Sequence, residues 1–588
     1  VRFNGSGHQY VNSSENFNIL EANMGNALRV ANVAHTVTCN QYDWTSGGID
    51  VLAGTFTALD LADNGIYGNY YVNPGGTINL HQDAGQYIDL NGKFNFNGGG
   101  TINVYGGSGI SFWPWDGNAV INMNGGVLDF KDQGIWIYNS SSHTFTYNIT
   151  GGTIRTSQGL LCTRTDFTPA GGTFEFYGST DATLNIYSGS HLRNVIINKS
   201  SKEGGESFMG EPVYDQRSGE MISEGGKANT LTLTSNLIAT GNLKIEAGNF
   251  NLGTYTCNVA GTTTVFGKLI MNNATNDLTT KYMVWDNGSS ANVTAGTFHA
   301  VTWNFSQGTT AKLGIGNTAY VTLGLHFPTS NDAEFGNLVA GPLTKNITDG
   351  DNTKTFYPFR VMGNMLVKSG TNWSFSNSDS PLIVVGNVTI ENGGNITFSG
   401  ADFEVGGALN LDGKLEVSNN HTATIQGAFL FPSTGWLKLN NGTFTNNYNF
   451  ATYTYLYGKL TMNNNSLLEF PGTSIMIGNT FVNEVSGGTL RFGRTLNAPN
   501  ANNFKLDHGT VEFISAYPNH SVSVYNGNYL NDVVINKTGV SFLVDKNLVI
   551  KNDLTIDSGV LSANDKTISI GGNWINNAGV NAFNEGTG

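Results

Sequence analysis

The most suggestive chemistry in this sequence is aromatic. Phe112-Trp113-Pro114-Trp115, followed by Asp116-Gly117, breaks the surrounding apolar–polar alternation, with Trp136 and Tyr138 downstream and Tyr67, Tyr70 and Tyr71 upstream. Aromatic faces stack on sugar rings while amides and carboxylates bond the hydroxyls. Trp113, Trp115, Trp136 and Tyr138 are therefore candidates for a carbohydrate-binding surface. An internal aromatic stack is the other reading of the same rings.

Asp349-Gly350-Asp351-Asn352-Thr353 puts oxygen ligands at alternate positions, a weak calcium pattern resting on Asp349 and Asp351. It lacks the Gly at the sixth place and the bidentate Glu at the twelfth, so a plain turn is the competing reading. Calcium is the one cofactor with any support. The ten His are scattered singly, without the HExxH spacing of a zinc site. Cys39, Cys162 and Cys257 are odd in number and far apart, which argues against a disulfide framework and for small core hydrophobes.

What must position these residues is a chain of unusual composition. Of 588 residues, 76 are Gly, 77 are Asn and only 12 are Pro, while charged residues are 12% and hydrophobic ones 39%. Disorder needs high charge with low hydrophobicity, and collagen needs Gly at every third place with abundant Pro; neither fits. No apolar run is long enough to span a bilayer as a helix. A net charge of −14 without a Lys/Arg cluster argues against nucleic acid or anionic lipid as a partner. The chain opens at Val1 without a basic or apolar leader, so any signal peptide is expected to have been removed or to lie outside it.

Helical periodicity is absent and strand signals are everywhere. From Leu382 onward, Val388/Ile390, Ile396/Phe398, Phe403/Val405, Leu409/Leu411 and Leu415/Val417 each form an apolar–polar–apolar triplet. A period of two turns one face of each triplet inward. Gly-Asn, Asn-Gly-Gly, Gly-Gly and Asp-Gly stand between them, residues that corner the backbone at little steric cost. A hairpin meander would also use such turns. Strands this short, continued for hundreds of residues, instead describe a solenoid, and the excess of Asn suits ladders in which each amide bonds the turn above and below.

The sequence also repeats at long range. Gly172-Thr-Phe-Glu-Phe176 recurs as Gly509-Thr-Val-Glu-Phe513, and His191–Ser200 recurs as Tyr529–Thr538. Asn242–Phe250 matches Asp553–Leu561 at a shorter offset, so an insertion lies between the blocks. It is visible at Lys202–Lys227, where nine charged residues mark a solvated loop. Its carboxylates offer a second place for calcium to gather. A partial third copy opens the chain at Val1-Arg-Phe3, and the final Gly586-Thr-Gly588 supplies the lead it lacks. The two ends are thus expected to continue one another, within a longer repetitive protein or between stacked copies.

These blocks, with the junction Gly572-Asn-Trp-Ile-Asn-Asn577, resemble the large repetitive surface and secreted proteins of Bacteroidota. The resemblance covers about half of the chain, and its motifs specify a scaffold rather than a reaction. It implies export, commonly by the type IX system, and a role as an adhesin or surface fibre. The C-terminal sorting domain of that system is not recognisable here.

The expected fold is all-β: a right-handed parallel β-helix, or β-solenoid, of roughly 25 rungs with loop insertions. Residues 1–342 form β-helix with a charged loop at 201–228, residues 343–381 form an irregular insertion or kink, and residues 382–588 continue the helix. The expected function is an extracellular structural or adhesive shaft, stalk or filament, not an enzyme. Its partners are copies of itself or neighbouring repeats end to end, and surface glycans. The alternative is a polysaccharide-binding or polysaccharide-cleaving β-helix. Neither the clustered Asp with Gly-His-Gly of a polygalacturonase nor the calcium acids beside a basic residue of a pectate lyase is found, though acids on successive rungs would be near in space and far apart in sequence.

Overall fold

The computed structural model describes residues 1–61, 68–83, 87–89, 93–106, 109–112, 118–138, 143–200, 229–286, 289–305, 313–327, 334–335, 337–340, 344–349, 359–377, 381–450, 452–500, 503–514 and 520–586. These residues are strands and turns without a helix, and the strands stack in parallel as a β-solenoid of about 21 turns. Register partners commonly lie 20 to 27 residues apart along the chain. The rung that carries residues 201–228 takes 48. The chain divides into two compact units, Val1–His299 and Ala300–Gly588.

In the first unit the inward side chains line up rung upon rung. Phe56, Ile78, Ile102, Leu128, Ile154, Phe174, Val195 and Leu243 are successive register partners, and all are buried. The alternation inferred from sequence produces this column, because each strand offers one apolar residue at the same depth. Gly126, Gly152 and Gly172 stand two residues before Leu128, Ile154 and Phe174 of this column with φ of 68°, 78° and 78°, a left-handed conformation that a side chain would strain. Cys39, Cys162 and Cys257 are buried free thiols, as expected for small core hydrophobes.

The Asn excess is used as the ladder argument requires. Asn148 donates its amide to Asn122 at 2.8 Å, Asn122 donates to Asn95, and Asn95 to Asn69. A second ladder joins Asn103 to Asn79 at 2.9 Å, and Asn79 to Thr57 at 3.2 Å. Asn122, Asn95 and Asn79 each both donate and accept, so neighbouring strands are tied by side chains as well as by backbone.

In the second unit the corresponding column runs Leu382, Phe403, Ala423, Phe444, Leu468, Leu490, Val511, Val533 and Leu554. Phe375 stacks on Phe398 and Phe398 on Phe403, with ring centroids 4.8 and 4.6 Å apart. The described part of 343–381 runs within the same ladders. Thr344–Asp349 pairs with Asn372–Asn377, Met365–Val367 with Val388–Ile390, and Phe359–Val361 with Leu382–Val384. Strand spacing there is irregular in sequence, and the pairing is continuous apart from a register shift between Ile347 and Thr348.

Candidate functional site

Of the aromatic candidates, Trp113 and Trp115 lie outside the described residues. Trp136 sits between the buried Ile135 and Ile137 and is itself half-buried on the outer face, in register with Ser111 and Leu161. Its indole meets the Tyr138 ring at 6.1 Å and 57°. Tyr70 and Tyr71 part company: strand alternation buries Tyr70 between Ile49 and Phe96 and leaves Tyr71 exposed. Asp349 ends the strand Thr344–Asp349, its backbone paired with Phe327, and Asp351 lies outside the described residues. Among the described residues no three His, Cys, Asp or Glu converge on a common point.

Two clusters of charged residues stand where the sequence repeats. In the first unit Asp129, Arg155 and Glu175 are register partners on successive rungs. Arg155 Nε lies 3.5 Å from Asp129 and 3.6 Å from Glu175, and its guanidinium stacks 4.3 Å over the Tyr177 ring. Tyr177 donates its hydroxyl to Asp129 at 2.7 Å, and Lys131 Nζ closes the same carboxylate at 2.7 Å. Burial pushes the Glu175 carboxyl up, with Arg155 opposing; burial and then the bond to Asp129 push the Tyr177 hydroxyl up.

The second unit repeats the acid–arginine–acid ladder, with Ile514 and Pro471 in the places of Tyr177 and Lys131. Glu469, Arg491 and Glu512 are register partners, with Arg491 at 3.3 and 2.8 Å from the two carboxylates. The repeat recognised at Glu175 and Glu512 therefore reaches back two further rungs, to Gly-Thr-Ile-Arg155 and Gly-Thr-Leu-Arg491, and to Asp129 and Glu469. The signal that could have extended it is the dipeptide Gly-Gly ahead of Thr153 and Thr489.

Two rungs on, each copy buries a lysine. Lys199 donates to the Tyr177 carbonyl at 2.9 Å and to the Ser157 carbonyl at 2.6 Å. Lys537 donates to the Ile514 carbonyl at 2.8 Å and to the Gly493 carbonyl at 3.1 Å. Burial pushes both ammonium groups down to about 8. A compact donor on a long stem suits this corner, because it reaches carbonyls on two preceding rungs. These charges fasten rungs together.

One surface was not singled out from sequence. Tyr453, Tyr455 and Tyr457 project outward from Tyr453–Leu456 and the residue after it, while Thr454 and Leu456 point in. The Tyr455 and Tyr457 rings lie 5.9 Å apart with planes 5° from parallel, and Tyr448 and Phe450 stack just before them at 5.6 Å. The Tyr-x-Tyr-x-Tyr alternation was the available signal. Compared with protein-family models, curated proteins and solved structures, the chain matches none.

Proposed function

We propose that this chain is a structural or adhesive segment of an extracellular shaft, stalk or filament. The observation that carries the reading is the fastening module present in each unit: an acid–arginine–acid ladder followed by a buried lysine that ties three rungs. Groups whose charge is costly to bury are committed to holding neighbouring turns in register, which favours cohesion along the solenoid. The Asn ladders act in the same direction. Export to the cell surface, and continuation by further repeats or copies, belong to this proposal and rest on the resemblance and the repeat pattern.

Immunogold labelling of the producing cells tests the placement: label on the outer surface or on external fibres is expected, and label confined to the cytoplasm overturns it. Single-molecule pulling tests the mechanical part. Resistance that falls on removal of either buried lysine is expected, and an unchanged force would remove the basis for the reading.

A further inference from the structure

We propose that the outward tyrosine strip of the second unit binds a neutral polysaccharide. Tyr453, Tyr455 and Tyr457 are 37%, 47% and 36% exposed, and Phe450 is 50% exposed; these four follow one another closely, whereas other exposed rings such as Tyr10, Tyr187 and Tyr282 stand far apart along the chain. The rings are held, not merely left outside. Gly478, on the next rung, has no side chain, and the Tyr457 ring lies over it; a Cβ there would run into that ring. Thr480 bonds the Tyr457 carbonyl at 2.9 Å, and Asn503 bonds the Gly478 carbonyl at 2.6 Å, fixing both sides of the contact. Tyr455, nearly parallel to Tyr457, turns the same face outward.

The occupant follows from the chemistry of the strip. An aromatic face is electron-rich and attracts the polarised C–H face of a pyranose, while phenol, amide and hydroxyl groups at its margin bond the sugar hydroxyls. Asn447, Asn449 and Thr452 supply such groups and are exposed. From Thr445 to Gly458 there is no charged residue, and Arg494, which reaches the strip from a later rung, donates to the Asn449 side-chain oxygen at 3.0 Å. The strip is one strand wide, with the stacked Tyr448 and Phe450 ahead of it. That shape suits a single extended glycan chain, whereas a stable protein partner takes a broad face of about 800 Å². The inference is independent of the structural role proposed above.

The test uses the full chain in sedimentation with microcrystalline cellulose and chitin, and in affinity electrophoresis through neutral glucan and mannan, with polygalacturonate as the acidic control. Binding to at least one neutral polysaccharide is expected. Tyr455→Ala or Tyr457→Ala should weaken it by about tenfold, the scale of losing one ring contact, and Tyr455→Phe should retain it. Gly478→Ala keeps every tyrosine but displaces the Tyr457 ring, and should weaken binding with unchanged melting behaviour. No neutral polysaccharide bound, binding to polygalacturonate alone, or alanine variants that bind like the parent would each overturn the proposal. So would self-association abolished by the same variants in the absence of glycan binding.

Discussion

Lys199 and Lys537 hold the same place in two separate units: each is fully buried, and each ammonium donates to one carbonyl on the preceding rung and another on the rung before that. A buried lysine is rare unless its donors are satisfied. Here backbone oxygens satisfy it, and burial, opposed at Lys199 by the charge of Asp181, makes the proton easy to lose.

Replacing either lysine with methionine keeps the stem and removes the donors. Lys199→Met and Lys537→Met are each expected to cost about 1 kcal/mol at pH 7, because the loss of two buried carbonyl contacts outweighs relief from burying the charge. Urea denaturation followed by circular dichroism reads this as a lower midpoint at unchanged slope.

That cost should grow with pH. Burial puts both folded lysines at about 8, against 10.5 for an ordinary lysine. Between these values the unfolded chain binds the proton and the folded chain does not, so these residues make stability rise with pH across that window and add no slope below it. Cys39 and Cys162, pushed by burial up to about 12 and about 11 from 9.0, act oppositely once an unfolded thiol ionises. Subtracting the curve of the double lysine variant cancels the cysteines. The difference should move in favour of the parent by roughly 4 kcal/mol, about 2 for each lysine, between about pH 7.5 and 9.5. A flat difference would refute the assignment.

Arg491 stands between Glu469 and Glu512, whose side chains are 20% and 15% exposed. Arg491→Met leaves two facing carboxylates half out of water and should destabilise by about 2 kcal/mol. Converting both acids to Gln in the same background should recover most of the loss, since the amides carry no charge. Thermal melts of the single and triple variants decide it.

Asn95 both donates to Asn69 and accepts from Asn122. Asn95→Asp keeps the acceptor but turns an oxygen toward the Asn69 oxygen, and should cost about 2 kcal/mol. Asn148→Ala, at the exposed end of the ladder, should cost less than about 1 kcal/mol. Equal effects at the two sites would mean that the ladder does not act as a connected unit.

Much of this architecture was legible because its cause is local. Val388–Ile390, Phe403–Val405 and Leu409–Leu411 are strands at the triplets where alternation places them, with outer residues buried and the middle one outward. The Asn surplus was readable as ladders, since no turn inventory needs so many amides. The stretch 343–381 was not readable in this way. Its described strands keep their ladders although the spacing between them in sequence is uneven.

The sequence by itself determined that the chain coils, which face of each strand turns inward, and that part of it is written twice. Only the tertiary structure decided which charges meet, because Asp129, Arg155 and Glu175 sit on successive rungs of unequal length. A difference of one residue in any turn would carry a side chain to the opposite face. The same holds for the tyrosine strip: alternation turned Tyr453, Tyr455 and Tyr457 to one side, but that Gly478 lies beneath the last ring follows from the stacking of a rung formed later in the chain.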